Sequence, residues 1–226
     1  MKLATLTVLT GCVLLRSCQP ADTGESATPS AGAVANAGEP ANTGTSARQL
    51  FNGQDLDGWD IVNDGQFSVE DGVLKIDRGT GWLRSSETFG DFVLTMEFRF
   101  LEEGANSGIF VRTGPTSRDD ERGWPDNGYQ IQCMDIITGD TPLGQMIPYG
   151  APPFEHEFDI EALQAAYNPT GEWHTYETTA EGENLSVQLN GVLITTATSI
   201  KNLTGHIGIQ GELGLLEFRK IEVEEI

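Results

Sequence analysis

Residues 92–114, FVLTMEFRFLEEGANSGIFVRTG, set acid–base groups into a strand pattern. Phe92, Leu94, Met96, Phe98 and Phe100 share one parity, and Thr95, Glu97 and Arg99 share the other. Successive side chains of a strand point to opposite faces, so a carboxylate and a guanidinium occupy the face that the core does not use. A carboxylate there can take a proton, and an arginine can stabilise the negative charge that results. The same reading of SGIFVRT sends Ile109 and Val111 inward and leaves Gly108, Phe110 and Arg112 outside. In GYQIQCMD, Ile131 and Cys133 go in while Gln130 and Gln132 go out; in GHIGIQG, Ile207 and Ile209 go in while His206, Gly208 and Gln210 go out. If these strands belong to one sheet, Glu97, Arg99, Arg112, Gln130, Gln132, His206 and Gln210 form a polar, concave platform. A solvated outer strand face is the competing account of the charges. It is weaker for the glutamines, which are poor strand formers but whose planar amides suit paired bonds to hydroxyls.

The elements that hold these residues are short and numerous. The 226-residue chain is long enough for one domain with a sizeable core or for two small ones. Its 27 glycines favour a turn-rich all-β protein. Runs such as GWDIVN, FSVED, VLKI, GWLRS, WHTYETTA and LEFRKIEVEE are separated by Gly, Asn and Asp. Asn190-Gly191 in QLNGVLI is a strong hairpin signal. The apolar parity of LEFRKIEVEE slips between Phe218 and Ile221, which predicts a β-bulge near Arg219 and Lys220. FEHEFDIEALQAAYNP has no clean apolar stripe and ends at Pro169, so a short turn or two in a long loop is expected. Ten or more strands at this spacing predict a β-sandwich over residues 48–226.

Charge and leader narrow the setting. Asp and Glu number 34 against 13 Lys and Arg, a formal charge of −21, which repels nucleic acid and anionic bilayers. Residues 1–18 read as a targeting segment, with Lys2 followed by an apolar run too short to span a membrane. LLRSC resembles a bacterial lipobox with Cys18 as the lipidated residue; LTGC at Cys12 fits the pattern but leaves a shorter leader. Residues 19–47 hold almost no large apolar group and read as a disordered linker. A lipid anchor on the cell envelope, at the outer membrane or facing the periplasm, is therefore expected. Cys133 is the one cysteine outside the leader, and its strand setting makes it a buried small hydrophobe.

LFNGQDLDGW, VEDGVLKI, GWLRSSETFGDFVLTMEFRF, NSGIFVR, GYQIQ, EWHTYE, LNGVLI, GHIGIQ and LEFRKIEVEE occur in this order between Leu50 and Ile226. The set resembles the 3-keto-disaccharide hydrolase domain family. That resemblance implies a concanavalin A-like jelly-roll sandwich of two antiparallel sheets with a concave face for carbohydrate. It implies cleavage of 3-keto-disaccharides or 3-keto-glycosides that a sugar 3-dehydrogenase supplies. The 3-ketone acidifies the C2 proton; a base removes it, the C1 leaving group departs, and water adds to the enone. Glu97 is the first candidate for the base by position and His206 the second by its ordinary pKa, with Asp135 also in reach and Arg112 or Arg99 beside the enolate. Gln130, Gln132, Gln210, Arg99 and Asp135 would bind the sugar. Trp124 and Tyr149 would stack on a pyranose or plug a packing gap, and His156 and Glu157 would close over the site. No His-x-x-x-His spacing is present, and neither a metal nor another cofactor is expected. Many members carry Gly-Tyr-Glu where this chain has Gly128-Tyr129-Gln130. A non-catalytic, lectin-like carbohydrate-binding module is accordingly the alternative.

Overall fold

The computed structural model describes residues 46–226. Cys12, Cys18, the rest of the leader and all but the end of the linker lie outside the described residues.

Fifteen strands and one helix follow in chain order. They are β1 (Arg48–Gln49), β2 (Trp59–Asn63), β3 (Gln66–Glu70), β4 (Val73–Arg78), β5 (Gly81–Phe89), β6 (Phe92–Phe100), β7 (Asn106–Thr113), β8 (Gly128–Met134), β9 (Met146–Tyr149), β10 (Glu155–Phe158), α1 (Ile160–Ala166), β11 (His174–Glu181), β12 (Asn184–Leu189), β13 (Val192–Thr198), β14 (Gly205–Gly211) and β15 (Leu216–Glu225). One sheet runs β10-β13-β12-β11-β6-β15-β4-β3, with β1 also paired to β15; the other runs β2-β5-β14-β7-β8-β9. Every strand pairing is antiparallel.

Alternation decides which face of each sheet is buried. In β6 the residues Phe92, Leu94, Met96, Phe98 and Phe100 are buried and those between them are half-exposed. Phe98 packs against Tyr176 and Phe218 from the strands on either side. Leu83, Ile109, Val111, Ile131, Cys133, Ile207 and Ile209 of the six-stranded sheet meet this layer, as their parity predicts. Burial of Cys133 raises its thiol pKa well above the ordinary value, which keeps it an unreactive core residue.

Local signals translate directly. Asn190 and Gly191 both take positive φ, 50° and 81°, as a two-residue hairpin between β12 and β13 requires. The β15–β6 register shifts between Phe218 and Lys220, which is the bulge the parity slip predicts. The segment expected as turns divides instead. Glu155–Phe158 pairs with β13 as an edge strand, and Asp159 caps α1 by accepting from the Ala162 N–H at 2.9 Å. His156 and Glu157 therefore sit on the edge of the nine-stranded sheet, with His156 2.7 Å from the Gln145 amide beside β9, away from the three glutamines.

Candidate functional site

The platform expected from parity splits between the two sheets. β7, β8 and β14 are neighbours in the six-stranded sheet, whereas β6 is central in the nine-stranded one. Stacked sheets lie roughly 10 Å apart with the core between them, so Glu97 and Arg99 face away from the glutamines. There they are matched by partners on β15. Glu97 accepts from Arg219, and Arg99 binds Glu217 with two nitrogens at 2.6 and 2.7 Å. Trp173 has the Arg99 guanidinium 4.8 Å and the Arg219 guanidinium 4.3 Å from its ring centre. Every charge in this group has a counter-charge, and Glu97 and Arg99 lie on the opposite face of the sandwich from the glutamines with which they were expected to share a platform.

Arg112 is also corrected. Its φ of 50° turns it out of the strand alternation, and it is fully buried. It donates to the carbonyls of Gly90, Gly182 and Asn202 and pairs with Asp91 at 2.9 Å. It joins three loops at one end of the sandwich and is structural. His206 lies toward that end of β14, where Nδ1 sits 2.8 Å from the carbonyl of Ser85 and 3.2 Å from that of Glu87; both are acceptors, so this nitrogen carries the proton. Asp135 accepts from the hydroxyls of Tyr167 and Thr170, and burial together with that bond pushes the Tyr167 phenol up to about 12. It fastens the segment after α1 and does not reach the platform.

Gln130, Gln132 and Gln210 do come together on the outer face of the six-stranded sheet. The Gln130 amide nitrogen donates to the side-chain oxygens of Gln132 at 2.9 Å and Gln210 at 2.8 Å. Gly108 lies under this bridge: a Cβ there would meet the Gln130 amide at 1.9 Å, so the amide can cross the sheet only over a glycine. Gly208 serves Trp82 in the same way, with 2.6 Å between a Cβ and the ring. The glutamines are on the predicted face but buried, at 1%, 6% and 1% exposure, rather than open to solvent. A second aromatic cluster of Trp82, Phe110 and Trp124, with Tyr149 against it, and the segment 114–127 cover them. Trp124 is 3% exposed and donates to the Gly211 carbonyl, so it is a plug and not a stacking surface. Tyr149 is half-buried, with Arg118 over its ring at 4.7 Å.

One step further along the same parity are the residues the sequence reading passed over. Asn106 precedes Gly108 and Phe110 by the strand period, and Glu212 follows Gln210. Asn106 donates to the Glu212 carboxylate. Burial raises the Glu212 pKa; Arg122 and the Asn106 bond pull it back. Burial and the Glu212 charge raise Tyr149, which Arg118, Arg122 and the Gln210 amide lower. Tyr149 therefore lies within electrostatic reach of Glu212, Gln210, Arg118 and Arg122, and Glu212 within reach of Arg122. The side-chain oxygens of Gln130 and Asn106 are buried acceptors without a donor, an arrangement that is costly unless water or a ligand hydroxyl completes it. The corner thus combines a carboxyl whose pKa burial raises, a phenol, two arginines and amide acceptors. Among the described residues no group of three or more His, Cys, Asp or Glu could hold a metal ion. A cavity of about 500 Å³ lies elsewhere, between β10, α1 and β13; three carboxylates line it, Glu157, Asp159 and Glu161, of which Asp159 is engaged as the cap of α1.

Two antiparallel sheets with these connections define a concanavalin A-like jelly-roll sandwich, and solved structures similar to it share that architecture. A protein of Parabacteroides distasonis provisionally named a glycosyl hydrolase superposes with a TM-score of 0.61 at 23% identity, covering 80% of this chain and 100% of that one. The Emp47p carbohydrate recognition domain gives 0.56 at 19%, covering 82% and 98%. The Bacillus licheniformis β-glucanase gives 0.50 at 15%, covering 80% and 98%. None of the curated proteins compared with the chain matches it. Residues 46–224 match the 3-keto-alpha-glucoside-1,2-lyase-like domain, and the chain belongs to that family.

Proposed function

We propose that this domain is a carbohydrate-active enzyme that cleaves 3-keto-glycosides at the Asn106–Glu212 corner of its six-stranded sheet. The observation that carries this reading is the half-buried Glu212 carboxyl, held by Asn106 and raised in pKa by burial. A base that removes the C2 proton works best when its pKa lies near the working pH, and burial moves Glu212 in that direction. Elimination needs one such base, unlike ordinary glycoside hydrolysis, in which two carboxyls flank C1. In this scheme Glu212 takes the C2 proton and the electron pair of the C–H bond forms the enolate. Arg122 stabilises the enolate oxygen, and the Tyr149 phenol protonates the departing glycosidic oxygen. Water then adds to the enone. The lectin-like alternative draws on Gln130, Gln132 and Gln210, neutral groups that bind hydroxyls without titrating.

Incubation with 3-keto-trehalose and 3-keto-glucosides beside the unoxidised sugars, followed by product analysis, separates the readings. Cleavage of the keto sugars alone supports the enzyme. Binding without cleavage supports the lectin-like module, and cleavage of both sugar types removes the role of the ketone.

A further inference from the structure

The segment that roofs the site carries two arginines that form no direct ion pair among the described residues, although Arg122 acts on the Glu212 carboxyl from a distance. Every other lysine and arginine among the described residues, Arg78 apart, forms an ion pair with a carboxylate. Arg118 and Arg122 form none; the one lies 4.7 Å over the ring of Tyr149 and the other 5.0 Å over Trp124. Those two rings touch, at 5.9 Å between centres. In a chain of net charge −21, two adjacent unmatched guanidiniums at the rim of a candidate site stand out against the pairing of the others.

The segment holds them in place. The Arg118 N–H donates to the Trp124 carbonyl at 2.8 Å, and the Trp82 indole donates to the Ser117 hydroxyl at 3.1 Å. Two of the segment's four acids are engaged within it. Asp120 accepts the backbone N–H groups of Arg122 and Gly123 at 3.0 and 2.9 Å, and Asp126 accepts from the Thr116 hydroxyl. A guanidinium whose face lies on a ring keeps its N–H edge available, and that fork matches a carboxylate or sulfate through paired hydrogen bonds. The enolate of a neutral keto sugar uses one such charge, Arg122, and leaves Arg118 without a partner.

We propose that the substrate is an anionic glycoside, bearing a carboxylate or a sulfate ester, and that Arg118 binds that group with Arg122, whose five N–H donors serve both it and the enolate oxygen. This rests on placing the sugar at the Asn106–Glu212 corner, but it concerns recognition and not the bond broken. The test is calorimetric titration of the protein with methyl β-glucuronide, methyl glucoside 6-sulfate and methyl β-glucoside, repeated with Arg118→Gln and Arg122→Gln. The expected result is at least about tenfold tighter binding of one or both anionic sugars than of the neutral one, with each substitution removing most of the difference. The stronger of the two anions identifies the group. Thermal unfolding of both variants checks that a loss of binding is not a loss of fold. Equal binding of all three sugars, no binding of either anion at millimolar concentration, or an anion preference that survives both substitutions overturns the proposal. An anion preference without cleavage of any keto sugar leaves this inference standing and removes the lyase reading; cleavage of neutral keto sugars with no anion preference does the reverse.

Discussion

The two outer faces of the sandwich obey the same alternation and reach opposite ends. On the nine-stranded sheet, Glu97, Arg99, Glu217 and Arg219 form two ion pairs against Trp173. On the six-stranded sheet, Glu212 is held by an amide, two arginines form no direct ion pair, and the oxygens of Gln130 and Asn106 lack donors. The first face is electrostatically finished; the second is not. Charged residues on a strand face therefore say little about chemistry until their partners are counted, because pairing satisfies a charge and leaves it nothing to offer a ligand.

The largest effect that tests this contrast is at Glu212. Glu212→Gln keeps the shape and the contact with Asn106 but removes the base, and turnover of a 3-keto-glycoside should fall by about 10²–10⁴-fold with binding retained. The acid limb of the wild-type rate profile should lie higher than that of a solvent-exposed glutamate, because burial raises the Glu212 pKa. Because Arg122 lowers the Glu212 pKa, Arg122→Gln should move that limb to higher pH. Stability follows the same sign. A carboxyl whose folded pKa is raised contributes most below its unfolded pKa, and that contribution is lost as pH rises through the folded value. Glu212→Gln should thus gain on the wild type in thermal stability between acidic and neutral pH, and a flat difference would contradict the assigned shift.

Arg112 sharpens the difference between structural and functional arginines. Arg112→Met leaves three carbonyls and Asp91 short of a donor, and chemical denaturation should show a loss of about 2–4 kcal/mol. Gln130→Ala takes the shared donor from Gln132 and Gln210; a stability loss of about 1–3 kcal/mol should accompany weaker sugar binding. An unchanged midpoint would mean that water replaces the bridge without cost. Glu97→Gln should be the mildest. It breaks an exposed pair with Arg219, so stability should fall by about 1 kcal/mol or less with turnover unaltered.

The fold was legible because its signals are local. Alternation in Phe92–Phe100, the Asn190-Gly191 turn and the parity slip before Ile221 each report short-range geometry. The side of each strand was legible for the same reason, and it placed Gln130, Gln132 and Gln210 on one face. Which strands share a sheet was not. β6 and β7 are consecutive in sequence yet enter different sheets, so Glu97 and Gln130 share an outward parity and lie on opposite sides of the molecule. The burial of the glutamines depends on a segment that folds back over them, and the role of Arg112 depends on a positive φ; neither follows from periodicity. Asn106 and Glu212 needed only one more step along strands already read.

The account rests on Glu212, and not Glu97, holding the C2 proton. The direct measurement is exchange of that proton for solvent deuterium, followed by NMR on a 3-keto-glucoside with wild type, Glu212→Gln and Glu97→Gln in parallel. Exchange by wild type and Glu97→Gln at similar rates, with about a hundredfold or greater loss in Glu212→Gln, is the predicted result. Exchange that survives in Glu212→Gln, or that disappears in a folded Glu97→Gln, would contradict it.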